Sequence, residues 1–535
     1  MSGWGYALKL SKEEVKNAEP PGTVKLIDHE LQRTPTGTNY NEDHIELVPH
    51  PSRSPADPLN WPKWRKLAVL FTVSLYALIA NIASANIASA LPLLTFQLLP
   101  PNSLTRLGHL VAYNVLFAGC SNIVWVPLAN IFGRRPIMLL AQLILIFSSM
   151  GGGLATTFNG LLIARIFQGI GAGPEQTISP EIVGEVFFVH QRGRAMALYT
   201  VCLSAGSLVG GIIGGYIAGN LGYKYIFWIT TALSVFIFLC QFFLVPETLF
   251  DRKSHLAHEE RNNTYNDEKE GTERDERAIN TKYQSTFGIA QQLSVGMYRG
   301  HIIRRFIAPW KTLALPGTWV VMLHYGGLVG AIVTLATIAP ALLSAPPYLW
   351  GNNVGLINVA GLIGCIVGGI ATHFTADLLV TRGAKKEVHG FSEPEARLPA
   401  MFPALVIAVA GIWCFGFSAA NGSKPAWVGM AFGLGMVSFG LTQIPSIGFN
   451  YLIEAYYSVS SDCFVMTTIV RGVISFAWTF FVVEWVFTRG PREPFGIFGM
   501  LMAIFALLTI PLWIYGKRWR IATAKYLPKA GEGEH

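Results

Sequence analysis

Arg165, Gln168 and Glu175 stand in a stretch, residues 160–182, that is otherwise largely apolar. A charge held at membrane depth costs about 2.5 kcal/mol or more unless it meets a partner or water. On a regular helix the three residues fall within about 80° of one another and form one polar stripe, expected to face inward. Such a stripe can line a cavity and relay a proton. The arginine stays protonated at any working pH and would set the field. The carboxylate would gain and lose the proton, and Arg165 would favour its charged form. The alternative is a structural tie of arginine to carboxylate or backbone. His324 is a second candidate carrier, because imidazole titrates near neutral pH; a hydrogen-bonded packing role is the competing reading. Asn81, Asn86, Asn114 and Gln443 are further polar groups in apolar stretches, Arg471 and Glu454 read as structural groups towards span ends, and Glu484 reads as reaching water. No metal site, nucleophile triad or phosphate loop is apparent, and the six cysteines are not spaced like a metal or disulfide framework. Neither an enzyme nor a cofactor is expected.

The elements that must hold these residues are long apolar helices. Half of the 535 residues are hydrophobic and only 13% are charged, too few to coat soluble domains of this total size. Residues 67–94, 137–158 and 226–245 contain no charged residue, and about 20 helical residues cross a hydrocarbon core. Apolar length and charged or Gly/Pro breaks predict twelve spans: 67–93, 108–131, 137–157, 160–182, 195–218, 224–245, 316–340, 351–374, 399–419, 427–449, 464–487 and 495–515. These group as a polar tail (1–60), a six-helix bundle (61–248), a linker (249–312), a second six-helix bundle (313–516) and a short tail (517–535). The first tail has no apolar signal-peptide core and reads as disordered. The linker centre, residues 259–277, is too charged to build a core, whereas residues 299–311 mix basic and apolar side chains and suit a short surface helix.

The net charge of +8 is spread over short loops and concentrated on one side. That pattern implies a membrane orientation, with both termini in the cytoplasm, rather than nucleic-acid binding. Glycines 206, 210 and 214 share a helix face that lets another helix approach closely. They are expected to pack across the interface between the two halves. Among aromatic residues, Trp228, Trp319, Tyr325, Trp413, Phe439, Phe449, Trp478 and Phe480 are possible cavity or packing groups.

Several local patterns resemble the major facilitator superfamily, and its fungal drug:proton antiporters in particular. Gly133-Arg134-Arg135-Pro136 follows the second span like the end of that family's loop motif, with Asn130 in place of its Asp. His373-x-x-x-Asp377, followed by Arg382, Lys385 and Lys386, is a counterpart in the second half. Arg165-Ile-Phe-Gln168-Gly169 is similar to a motif of proton-driven members. Gly206-x-x-x-Gly210-Gly211-x-x-Gly214-Gly215 resembles the antiporter glycine motif, with Gly211 in place of Pro. Asp57-Pro-Leu-Asn60-Trp61-Pro62, Phe187-Phe-Val-His190-Gln-Arg192-Gly193, Pro246-Glu247-Thr248 and Glu393-Pro-Glu395-Ala-Arg397 match fungal members.

The resemblance implies an all-α membrane protein with the major facilitator fold, two six-helix bundles around a central cavity. It implies a monomer in the plasma membrane that exchanges a small organic or hydrophobic compound for protons in the outward direction. Proton-coupled import of a nutrient or organic cation, and a non-transporting membrane sensor, are the rival functions. Arg134, Arg135, Arg192, Glu247, Asp377 and Arg382 are the candidate latch, expected to pair with span ends of the opposite half. The partners expected are a small-molecule substrate, protons and the lipid bilayer.

Overall fold

A computed structural model describes residues 57–98, 102–250, 302–386, 391–456 and 459–526, with parts of 4–25. Eleven helical runs among the described residues are long and apolar enough to cross a membrane. The twelfth crossing expected from the sequence is the fourth, and it is broken. Phe158–Ala172 is helical, Gly173–Gln176 forms a tight 3-10 turn, and Ile178–Val186 resumes the helix. Pro174 explains the break, since it has no N–H to continue the helical hydrogen-bond ladder. Neither piece is long enough alone to register as a crossing.

The first six spans are Lys63–Thr95, Leu104–Phe132, Arg134–Leu154, the broken fourth, Val189–Asn220 and Tyr223–Leu244. The second six are Pro316–Ser344, Gly351–Lys386, Met401–Asn421, Ala426–Ala455, Ser460–Arg489 and Arg492–Thr523. Both sets pack by one scheme. The first helix lies on the fifth, the second on the fourth and the third on the sixth; the seventh lies on the eleventh, the eighth on the tenth and the ninth on the twelfth. Equal contact patterns in the two halves identify a structural repeat. The halves meet along two seams, second span against eleventh and fifth against eighth.

Close backbone approach builds these seams, but not with the glycines expected. Gly206, Gly210 and Gly214 face Leu78, Ile82 and Asn86 of the first span, inside their own half. The next face of the same helix crosses between halves: Gly211 meets Asn358 and Gly215 meets Gly355 of the eighth span. On the other seam Gly119 and Gly472 abut directly. The expectation that Gly206, Gly210 and Gly214 span the two halves is therefore corrected. A four-residue spacing fixes a shared face, but it does not say which neighbour that face meets.

Residues 251–301, most of the linker, lie outside the described residues. Helix Ile302–Lys311 follows and packs against the second and eleventh spans, where the halves join. Within the amino-terminal stretch, helix Trp4–Lys9 packs on Thr509–Thr523, and Val24–Lys25 pairs antiparallel with Phe391–Ser392.

Candidate functional site

A cavity lies between the halves, lined by residues of the first, second, fourth, fifth, seventh, tenth and eleventh spans. Its wall is mainly Ala, Val, Leu and Ile, interrupted by Asn81, Ser84, Gln176, Ser204, Ser207, Tyr325 and Arg471. The free volume is about 70 Å³. A drug-sized ligand takes about 300–1,000 Å³, so in this conformation the halves are closed around space for a few waters. They must part to admit a solute.

Arg165 is wholly buried and does not enter that space. Its guanidinium donates to the carbonyl oxygens of Ala83 (2.7 Å), Ser84 and Leu110 (3.3 Å) and to the Gln168 side-chain oxygen (2.5 Å). Gln168 in turn donates to Ser149 Oγ at 3.0 Å, and the Arg165 carbonyl accepts from Asn114 Nδ2 at 2.8 Å. The side chain thus ties the fourth span to the first and second through oxygen acceptors. Ser84 and Asn114 complete the network, joined by a 2.5 Å hydrogen bond. This is the structural tie to the backbone weighed in the sequence.

Glu175 does not continue the stripe, because Pro174 has turned the chain before it. Asn81 Nδ2 donates to both Glu175 oxygens (2.8 and 2.9 Å), and Gln176 Nε2 donates to Oε1 at 2.8 Å. Tyr199 donates its hydroxyl to the Glu175 carbonyl at 2.7 Å. Asn81 and Gln176 also line the cavity, so Glu175 sits one layer behind its wall. Arg471 reaches the same cavity wall from the other half, and no salt bridge joins it to Glu175 among the described residues.

Arg471, which the sequence suggests is a structural group near a span end, lies deeper than that. It is the twelfth residue of Ser460–Arg489, about 16 Å along the helix. It is buried at 4% exposure and lines the cavity. Its guanidinium carbon lies 5.5 Å from the Tyr325 ring centre, and that ring packs edge-on against Phe449. Arg471 Nε and Nη2 have no hydrogen-bond partner among the described residues. The signal was the one that singled out Arg165, a charge in an apolar span; counting its depth from the helix start would have found it. Of the eight aromatic candidates, Tyr325 alone lines this cavity.

His324 is placed elsewhere. It is buried in the second half, with Nε2 2.8 Å from the Phe505 carbonyl oxygen and 3.2 Å from Thr509 Oγ1. A carbonyl only accepts, so this ring nitrogen carries the proton. The geometry is that of a packing histidine.

On the face that carries the basic loops, two separate motifs come together. Gly133 has φ of +100°, which brings the start of the third span onto Glu247, so close that a Cβ would strike the carboxylate. Glu247 accepts from the backbone N–H groups of Arg134 and Arg135 (both 3.1 Å) and from those of Thr248 and Leu249. It therefore caps the helix at its positive end. Arg135 donates to the Phe242 carbonyl at 2.5 Å, and Arg134 forms salt bridges to Glu181 (3.1 Å) and Glu185 (2.6 Å). Arg192 donates to the Gly184 carbonyl at 2.8 Å. These partners lie in the same half as the arginines. Short loops hold consecutive span ends side by side, so local partners are met first. Glu181 also lies near Asp462, a like charge at the start of the eleventh span, and Asp462 lies near Arg305 of the linker helix. The second half has its own cluster, in which Arg520 pairs with Glu393 and Glu395, and Arg397 with Glu454 at 2.6 Å. Asp377 and Arg382 fall on helix Asn358–Lys386, but their side chains lie outside the described residues.

Comparison with known proteins agrees with this architecture. The chain is 25% identical to an uncharacterised MFS-type transporter of Schizosaccharomyces pombe, over 95% of this chain and 94% of that one. It is 24% identical to the efflux pump radE of Floropilus chiversii, over 87% and 83%. Among solved structures it is similar to the proton:xylose symporter XylE of E. coli, with a TM-score of 0.58 at 15% identity, covering 85% of this chain and 96% of that one. The sequence profile of the Major Facilitator Superfamily matches residues 73–459, most of the chain. This protein is a multi-pass membrane transporter and belongs to the major facilitator superfamily.

Proposed function

We propose that the protein exports a small, largely hydrophobic organic molecule in exchange for protons, from the plasma membrane, with both chain ends in the cytoplasm. The observation that carries this reading is Glu175, a carboxylate held by amides just behind the wall of the cavity that Arg471 lines from the other half. While Glu175 is ionised, its attraction to Arg471 draws the halves together around the cavity. A proton on Glu175 removes that attraction and lets the halves part. Similarity to an efflux pump supports the outward direction, and the Lys/Arg distribution supports the orientation. The two bundles, residues 61–248 and 313–516, would rock about the seams with the linker spanning them, and the Arg134–Glu181 and Glu247 contacts would keep the first bundle's spans moving as one.

The test is dye flux in reconstituted vesicles, with and without a pH gradient. Glu175→Gln should abolish gradient-driven accumulation of a fluorescent hydrophobic dye and leave downhill exchange intact. A Glu175→Gln protein that still concentrates the dye would place the proton carrier elsewhere. Inside-out and right-side-out vesicles together give the direction.

A further inference from the structure

Among the described residues Arg471 is the one arginine on the cavity wall, and two of its nitrogens find no acceptor. A buried donor without a partner costs free energy that an incoming acceptor recovers. Nε and Nη2 stay unmet although other polar groups stand nearby. Both Glu175 oxygens are already engaged by the Asn81 and Gln176 amides. Tyr325 meets Arg471 with its ring and its hydroxyl, which leaves Nε and Nη2 free, and the rest of the nearby wall, including Val329, Ile332 and Leu441, is apolar.

We infer that Arg471 is the specificity-determining residue of the cavity, and that it selects apolar organic molecules bearing a hydrogen-bond-accepting oxygen, carbonyl or carboxylate, over organic cations. The guanidinium presents N–H donors in a fixed planar fork, suited to such oxygens. A cation in the same place would meet like charge in a site of low dielectric, where repulsion is strong. The substrate's apolar body would lie on the Val and Leu surface, with its oxygen end at Arg471. This deepens the reading of the cavity as the transport site and rests on it. It also bears on coupling. An oxygen group on Arg471 weakens the hold of Glu175 on the opposite half, as a proton on Glu175 does, so either event frees the halves.

The test is calorimetric titration of the purified full-length protein in detergent, with three probes of one shape: naphthoate, acetylnaphthalene and naphthylmethyl-trimethylammonium. Without a membrane there is no gradient, so failure of proton coupling at Glu175 would leave the result untouched. Naphthoate and acetylnaphthalene should bind, and the ammonium probe should bind about tenfold more weakly or worse. Arg471→Gln should weaken naphthoate by about tenfold and erase the preference over the ammonium probe. Arg471→Lys should keep the preference for naphthoate. An ammonium probe that binds the unaltered protein as well as naphthoate overturns the inference. So does an Arg471→Gln protein with its preference intact, or absence of naphthoate binding at millimolar concentration. The order of affinities is read first in the unaltered protein, so the test stands even if Arg471→Gln does not fold.

Discussion

Two buried arginines sit at membrane depth in this transporter, and their surroundings differ in kind. Arg165 in the first half is wholly buried, and its donors end on carbonyl and amide oxygens of three helices. Arg471 in the second half is nearly as buried, yet it faces the cavity with two donors unmet. A buried charge whose donors are satisfied by the protein holds helices together. One left unsatisfied beside open space is poised for something that comes and goes. Residue type and burial are the same in both cases, so the acceptors decide the role.

The largest effect should therefore fall on Arg165. Arg165→Ala removes a hub joining the first, second and fourth spans and leaves buried oxygen acceptors without their donor, at about 1–3 kcal/mol each. Arg165→Lys should recover little, since an ammonium is a point charge that cannot reach three helices at once. Arg471→Gln should cost clearly less, because it gives up no hydrogen bond through Nε or Nη2. Thermal unfolding of the purified proteins would check the contrast. Equal loss of stability from Arg165→Ala and Arg471→Gln would erase the distinction drawn here.

The fifth span offers a second contrast, with a smaller effect. Its glycines face two ways, towards the first span at Gly206, Gly210 and Gly214 and towards the eighth at Gly211 and Gly215. A Cβ at Gly214 would overlap the Asn86 backbone. Gly214→Leu should destabilise the first bundle by about 1–3 kcal/mol, the usual range for overpacking. Gly211→Leu presses on the Asn358 side chain across the halves, so it should leave bundle stability near normal and slow exchange instead. Unfolding and flux measured on both proteins separate a static seam from a moving one. The two glycines are independent if Gly214→Leu fails mainly in stability and Gly211→Leu mainly in flux; a shared defect would merge them.

The same particulars show how far the sequence could be read. Eleven of the twelve expected crossings and the two-half arrangement were legible, because apolar length and charged breaks report directly on a membrane's thickness. Arg165 and Gln168 were legible as a pair, since the two are three residues apart on an unbroken helix. Glu175 was legible as a site residue but not as part of their stripe: Pro174 lies between, and helical geometry stops applying where the helix breaks. The neighbours of Gly210, the partners of Arg134 and the cavity position of Arg471 were not legible. Each depends on which helix lies alongside, and a single chain's periodicity carries no such information.

Glu247 gives the finest discrimination. The sequence suggested a latch between halves, whereas its carboxylate accepts backbone N–H groups at the start of the third span and from Thr248 and Leu249. A cap of this kind is worth about 1 kcal/mol, part from the hydrogen bonds and part from negative charge at a helix start. Glu247→Gln keeps one oxygen acceptor, loses the charge and turns the other end of the group into a donor facing donors. It should lower the unfolding temperature by a few degrees and leave the flux rate within about twofold. Glu247→Ala, with no acceptor at all, should lower stability further in the same direction. A latch would behave differently, because its loss changes the balance between open and closed states rather than the strength of one helix start. Flux that collapses in Glu247→Gln while the unfolding temperature stays put would mean that the cap also reports on the state of the halves. The path would then run through Arg134 to Glu181, which lies beside Asp462 of the second half.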